Sequence, residues 1–272
     1  MNSKDEHQEI AKSLDTMFNY KMDIDFIDEN YLDNFNDKDT LLVILDTHKQ
    51  ELLEYPEIIN LYNSIAIIDH HIKSDDYIKK ANFIHIDNNV SSTVEIMINY
   101  LKHLNQTIDP IIATIMLAGM EVDTNSFNIK TNSKTFLSAA FLMEMGADNI
   151  EKQKLLKENK DKYCKRQEFI KKSYMITDDM ALCVMDTNKY MRYELALISE
   201  ELLQFDDVEA SFTIGYINND TVGVSARSIG KIDVENIMRK LGGGGHMTDA
   251  ACSIKDTNLK EVKEKLLNIV KR

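Results

Sequence analysis

Two apolar runs, each closed by a carboxylate, constrain this chain more than any other feature. Thr40-Leu41-Leu42-Val43-Ile44-Leu45-Asp46 is the first, and Ser64-Ile65-Ala66-Ile67-Ile68-Asp69 is the second. Continuous apolar runs of this length suit strands buried on both faces of a parallel sheet, because alternation would betray a solvent-facing side. Parallel strands need a crossover, and Glu51 to Tyr62 is read as that helix. Sites in open parallel sheets form beyond the carboxyl ends of the strands. The fold therefore brings Asp46 and the triplet Asp69-His70-His71 to one sheet edge.

The remaining elements follow from caps and periodicity. Ser91-Ser92-Thr93 with Glu95 makes a helix start. Asp109-Pro110 opens a helix through Ala118, and Ser133 to Met145 is a helix ended by Gly146. Asn149 to Ser173 is charged and reads as a single connecting helix. From about Met180 the pattern restarts. Strands are read at Ala181–Met185, Val208–Tyr216, Val222–Ala226 and Ala250–Ile254. Helices are read at Tyr193–Leu203, Val234–Leu241 and Leu259–Val270. The expected fold class is α/β, with a parallel-sheet domain over residues 1–148, a helical linker over 149–178 and a smaller α/β domain over 179–272.

Composition narrows the classes of function. The 272 residues carry a formal net charge of −13, a poor match for a clamp on long nucleic acid. No apolar run approaches the ~18 residues of a membrane span, and the polar start at Met1 to Glu9 is not a signal peptide. Cys164, Cys183 and Cys252 lie far apart and form no C-x-x-C pair, which fits the reducing cytoplasm.

Chemistry concentrates in two places. Three adjacent polar residues at a buried strand end, Asp69-His70-His71, are costly unless paired or bound to metal. Asp46 lies at the neighbouring strand end, and Asp123 is expected to join from a loop after the helix. Carboxylate and imidazole donors suit manganese, with magnesium, iron and zinc open. Two such ions about 3.5–4 Å apart can hold the attacking and leaving oxygens of a phosphoryl group. In the second half, Gly242-Gly243-Gly244-Gly245-His246 can bring backbone amides to an anion. Four glycines are more than packing or helix termination requires, and no Lys-Ser/Thr follows them as in a P-loop. Ser225-Ala226-Arg227-Ser228 ends a strand, and Arg227 can take a phosphate bidentately.

Five ordered segments resemble the DHH phosphoesterase family: Val43 to Lys49, Ile68 to His71, Val122 to Thr124, Ser225 to Ser228, and Gly242 to His246. Their order is similar to a DHH domain followed by a DHH-associated C-terminal domain. Asp46-Thr47-His48-Lys49, Thr131 to Phe136 and Lys154 to Glu158 resemble the GdpP-type cyclic-di-AMP phosphodiesterases within that family. The resemblance implies manganese-dependent hydrolysis of cyclic di-AMP to pApA. It also implies Asp46 as a bridge between two Mn2+ ions, with His70 and Asp123 completing one site and Asp69 and His71 supporting them. Ser225, Arg227, Gly242, Gly243, Gly244, Gly245 and His246 would hold the substrate.

One departure qualifies this. Family members open with an H-x-x-x-D-x-D segment that supplies further metal ligands. Asp23-Ile24-Asp25 is the only D-x-D upstream of Asp46, and no His stands four residues before it. The expectation is a start after that motif, one incomplete metal site and impaired hydrolysis by this chain alone. Other readings are an enzyme of the nano-RNase and phosphoadenosine-phosphatase branch, acting on short oligonucleotides, and a non-catalytic nucleotide-binding module. A homodimer is among the assemblies open to it.

Overall fold

A computed structural model describes Leu32 and residues 39–270, and the chain divides into two compact units between Lys157 and Glu158. The Asp23-Ile24-Asp25 segment lies outside the described residues.

The first unit is built on the two apolar runs. They form β1 (Leu41–Leu45) and β2 (Ser64–Asp69), paired in parallel, and β3 (Phe83–Ile86) adds in parallel on the far side of β2. β2 meets the expectation of burial on both faces: every residue from Ile65 to Asp69 is buried. β1 does not. Ile44 is buried, but Leu41, Val43 and Leu45 keep about half of their surface, at 55%, 47% and 50%. β3 is a strand that the sequence reading leaves out, because its four residues, Phe-Ile-His-Ile, carry too short an apolar pattern to stand out.

The crossover helix over Glu51 to Tyr62 is corrected to something smaller. The chain makes a single 3-10 turn at Gln50–Leu52 and then α1 (Ile58–Leu61). Pro56 lies between them, and a proline there has no N–H for a continuous helical ladder. Ile59, Tyr62, Ile65, Ile67 and Ile78 pack beneath this connection against Ile44.

Helices α2 (Thr93–His103) and α3 (Pro110–Asp123) start where their caps predict, and α4 (Ser133–Glu144) starts at the expected Ser133. Ser92 accepts from the amide of Glu95, Asp109 accepts from Ile111, and Asn132 and Thr135 cap each other reciprocally. Gly146, at φ +94°, ends the α4 region in the left-handed conformation that glycine favours. Ile98, Ala113, Leu117, Met120 and Leu142 form the shared helical core.

The connecting helix is also corrected. Residues 149–178 hold α5 (Asn149–Leu155), a break, α6 (Lys160–Lys171) and the short strand β4 (Tyr174–Met175). Asn159 caps the restart, its side chain accepting from the amides of Asp161 and Lys162, so an Asn within the charged run begins a second helix. The two units divide inside this break.

The second unit is one mixed sheet in the order β4-β5-β6-β7-β9-β8, with β5 (Met180–Lys189), β6 (Ala210–Tyr216), β7 (Thr221–Ser228), β8 (Gly244–Gly245) and β9 (Asp249–Lys255). Only the β5–β6 pairing is parallel. Alternation along β5 assigns its faces. Ala181, Cys183 and Met185 pack with α6 and with α7 (Arg192–Leu202), while Leu182 packs with α8 (Val234–Lys240) and α9 (Leu259–Val270). Cys164, Cys183 and Cys252 are free thiols. No described helix is long and apolar enough to cross a membrane.

Candidate functional site

The first cluster lies where β1 and β2 end. Asp46 follows β1 at φ +66°, and its amide still donates to Ile68 O at 3.0 Å. The left-handed turn there carries the carboxylate away from the strand line. Thr93, at the start of α2, donates from Oγ1 to Asp46 Oδ1 at 2.7 Å. His70 Nε2 lies 3.4 Å from that same oxygen. Asp46, His70 and His71 each offer one donor atom, all within 4.8 Å of one another.

Asp69 organises the histidines. It is fully buried, and it accepts from His48 Nδ1 at 2.5 Å, His71 Nδ1 at 2.7 Å and the His71 amide at 3.1 Å. The amide of Ser74 donates to His48 Nε2 at 3.2 Å, which places the His48 proton on Nδ1, toward Asp69. By the same logic His71 spends its Nδ1–H on Asp69 and keeps the Nε2 lone pair free. This carboxylate–histidine pairing is what a metal-ligating imidazole needs. Burial works against the Asp69 charge, but the hydrogen bonds from His71 and His48 hold its carboxyl well below the usual range. His71 is raised by its bond to Asp69, against burial. His70 is lowered by burial and then by the neighbouring His71, so it is a neutral donor at physiological pH.

Asp123 is placed differently from the loop position expected for it. α3 runs on to Asp123 itself, making it the last helical residue. Burial, and then the charge of Asp46, push its carboxyl up to about 6. Carboxylates that repel each other beside imidazoles are a donor set that a divalent cation would relieve, and the residues present fit such an ion. Asp46, His70 and His71 form the tight group, with Asp123 coupled electrostatically to Asp46 and His71. His71 therefore joins the candidate donor atoms, where the family resemblance implied a supporting place. Lys130, at φ +49°, also acts on the charges of His70, His71 and Asp123. The sequence offers no pattern that marks it.

The second cluster belongs to the second unit. A cavity of about 490 Å³ is lined by Ser225, Arg227, Gly242 and Gly243, together with Arg192 and Tyr193 from the first turn of α7. Arg227 is held rigidly. Its Nε faces Glu200 at 3.0 Å and Asp249 at 3.2 Å, and Nη1 donates to Ala226 O at 3.1 Å.

The glycine run resolves into separate tasks. Gly242, at φ +85°, and Gly243 close α8 by donating to Arg239 O and Met238 O, the crossed pair of bonds of a Schellman motif. A Cβ on Gly243 would lie 2.2 Å from Ala251 O, and one on Gly245 would lie 2.3 Å from Asp249 O. Packing against β9 does require glycine at these two positions, contrary to the expectation from sequence. Gly244 and Gly245 form β8, and His246 sits in the β8–β9 turn, its amide donating to Asp249 O. Neither Gly244, Gly245 nor His246 lines the cavity.

Residues 6–120 match the DHH family N-terminal domain, and residues 179–272 match the DHHA1 domain. The chain belongs to the DHH family. This DHH chain is 37% identical over 85% of its length to the cyclic-di-AMP phosphodiesterase GdpP of Bacillus subtilis (strain 168). It is 33% identical over 88% of its length to the cyclic-di-AMP phosphodiesterase PdeA of Listeria monocytogenes serotype 1/2a (strain 10403S). It spans about a third of those relatives, 36% and 37% of their lengths. An exopolyphosphatase-related protein from Bacteroides fragilis has a similar fold, with a TM-score of 0.75 at 16% identity, covering 88% of this chain and 74% of that one.

Proposed function

We propose that this chain is a metal-dependent phosphodiesterase that hydrolyses cyclic di-AMP to pApA. The observation that carries the reading is the Asp46, His70 and His71 cluster, with Asp69 fixing the His71 tautomer. The DHH assignment and the likeness to the cyclic-di-AMP phosphodiesterases GdpP and PdeA support the choice of substrate. A Mn2+ ion held by Asp46, His70 and His71, with Asp123 at hand, would supply Lewis acidity toward a phosphate oxygen and lower the pKa of a bound water.

The chain's own groups do the rest. Thr93 aims the Asp46 carboxylate, and Asp69 holds His71 with its Nε2 lone pair outward. His70, kept neutral by burial and by His71, offers a lone pair without first losing a proton. In the second unit Arg227 orients a phosphate in the cavity that it lines with Ser225. In the net reaction, water adds to one phosphorus, one P–O3′ bond breaks, and the 3′ oxygen takes a proton.

The test is turnover of cyclic di-AMP in Mn2+, with pApA resolved by chromatography, for the wild type and His70→Ala. Hydrolysis that disappears in a folded His70→Ala variant supports the reading. Hydrolysis unchanged by the substitution, or none with either chain, overturns it.

A further inference from the structure

The cavity of the second unit has a charge problem that Arg227 does not solve. Two carboxylates, Glu200 and Asp249, lie within 3.2 Å of its guanidinium. One cation between two anions leaves the spot net negative, and a phosphate brought there would meet repulsion. Another cation is needed, and Arg192 lines the same cavity.

Arg192 has no structural reason of its own to be cationic. It is the first residue of α7, where the helix dipole disfavours positive charge. It is exposed, and no ion pair or hydrogen bond engages its side chain among the described residues. The next residue, Tyr193, lines the cavity with half of its surface exposed, although an aromatic ring gains most when buried. No described ring or cation packs on it. A cation and an aromatic face, adjacent and both unengaged, line the same cavity as the rigid guanidinium of Arg227. That pairing is the minimum for a nucleotide: one group for the phosphate and one for the base.

We propose that Arg192 supplies the phosphate-binding charge of this cavity and that Tyr193 stacks on the adenine base. The inference deepens the cyclic-di-AMP reading and rests on it. Arg227, already spent on two carboxylates, orients the phosphate, while Arg192 sets whether an anion enters at all. Tyr193 turns anion binding into nucleotide binding.

The experiment is calorimetry of pApA and of ribose 5-phosphate against the full chain in EDTA, so that no turnover intervenes. Arg192→Ala should weaken both ligands by about 10- to 100-fold, the effect of one charge-assisted hydrogen bond. Arg192→Lys should recover part of that loss. Tyr193→Ala should weaken pApA by about tenfold and leave ribose 5-phosphate unchanged, while Tyr193→Phe should bind pApA as the wild type does. Matching thermal unfolding of all variants excludes a folding defect. If Arg227→Ala loses pApA but Arg192→Ala and Tyr193→Ala bind it normally, the inference is wrong and the nucleotide reading survives. If the wild type binds no pApA, both fall.

Discussion

Replacing Asp69 by asparagine removes one charge from the centre of the site with almost no change of shape. The carboxylate accepts three hydrogen bonds, two of them from imidazole N–H groups of His48 and His71, and no part of it reaches solvent. Asparagine keeps one acceptor oxygen and presents an NH2 where the other stood, so one imidazole N–H faces a donor. A bond to a charged group contributes about 1.5–3 kcal/mol, and a buried donor left unpaired costs about 1–3 kcal/mol. The variant should therefore lose about 3 kcal/mol of stability at neutral pH in EDTA, read by urea denaturation. If the orphaned ring is His71, its tautomer is no longer fixed and Mn2+ affinity should fall by about 10- to 100-fold, read by calorimetry. The pH dependence has a definite sign. Asp69 has a depressed folded pKa, so its stabilisation is present above the unfolded value and is lost as pH falls toward the folded one. The gap between wild type and variant should shrink below about pH 4. A variant within about 0.5 kcal/mol of the wild type, with unchanged Mn2+ affinity, would refute the claim that Asp69 organises the histidines.

Thr93→Val deletes the hydroxyl that aims Asp46, and it should cost about tenfold in Mn2+ affinity while Thr93→Ser keeps it; equal affinities for Val and Ser would remove Thr93 from the site. Gly243→Ala should destabilise the chain by about 2–3 kcal/mol through collision with β9 backbone, whereas Gly244→Ala, which meets open space, should cost under about 1 kcal/mol in the same urea titration. Asp123 has a folded pKa raised to about 6, so its carboxyl favours the folded state at low pH and that contribution is lost as pH rises from about 4 to 6. Asp123→Asn should then raise metal-free stability at pH 7 by something on the order of 2 kcal/mol, and should lower stability relative to wild type once Mn2+ is added. A metal-free Asp123→Asn chain no more stable than the wild type would contradict the repulsion from Asp46.

The parts legible from sequence are those written in local pattern. β2 shows itself as an unbroken apolar run, α2 and α3 by the caps Ser92 and Asp109, and α4 by its terminator Gly146. The Asp46, His70 and His71 grouping follows from two such strands lying parallel. What sequence hides is set by long-range geometry. Whether Asp123 ends a helix or starts a loop depends on one further turn of α3, which an apolar pattern does not fix. The break at Asn159 is masked by charge on both sides. Lys130 acts at the centre through space, from a segment without a motif. The glycines were legible as a special backbone, but their collisions with Ala251 and Asp249 depend on how closely β9 approaches. Arg192 and Tyr193 look like ordinary helix-surface residues until the cavity beside them is seen.

The Gly242–Gly243 wall also bears on how such a pocket can change over generations. A surface made of peptide groups and pinned against β9 gives natural selection almost nothing to vary, since nearly every substitution at Gly243 meets backbone. Rescue from elsewhere in the sheet is closed off as well, because the nearest contact is the Ala251 carbonyl oxygen, which no substitution at that residue removes. Novelty in ligand preference is thereby channelled to the helical part of the lining, where Arg192 and Tyr193 stand exposed in a first helical turn that tolerates replacement. One side of the pocket is historical and nearly immutable; the other is where descendants with different appetites would diverge.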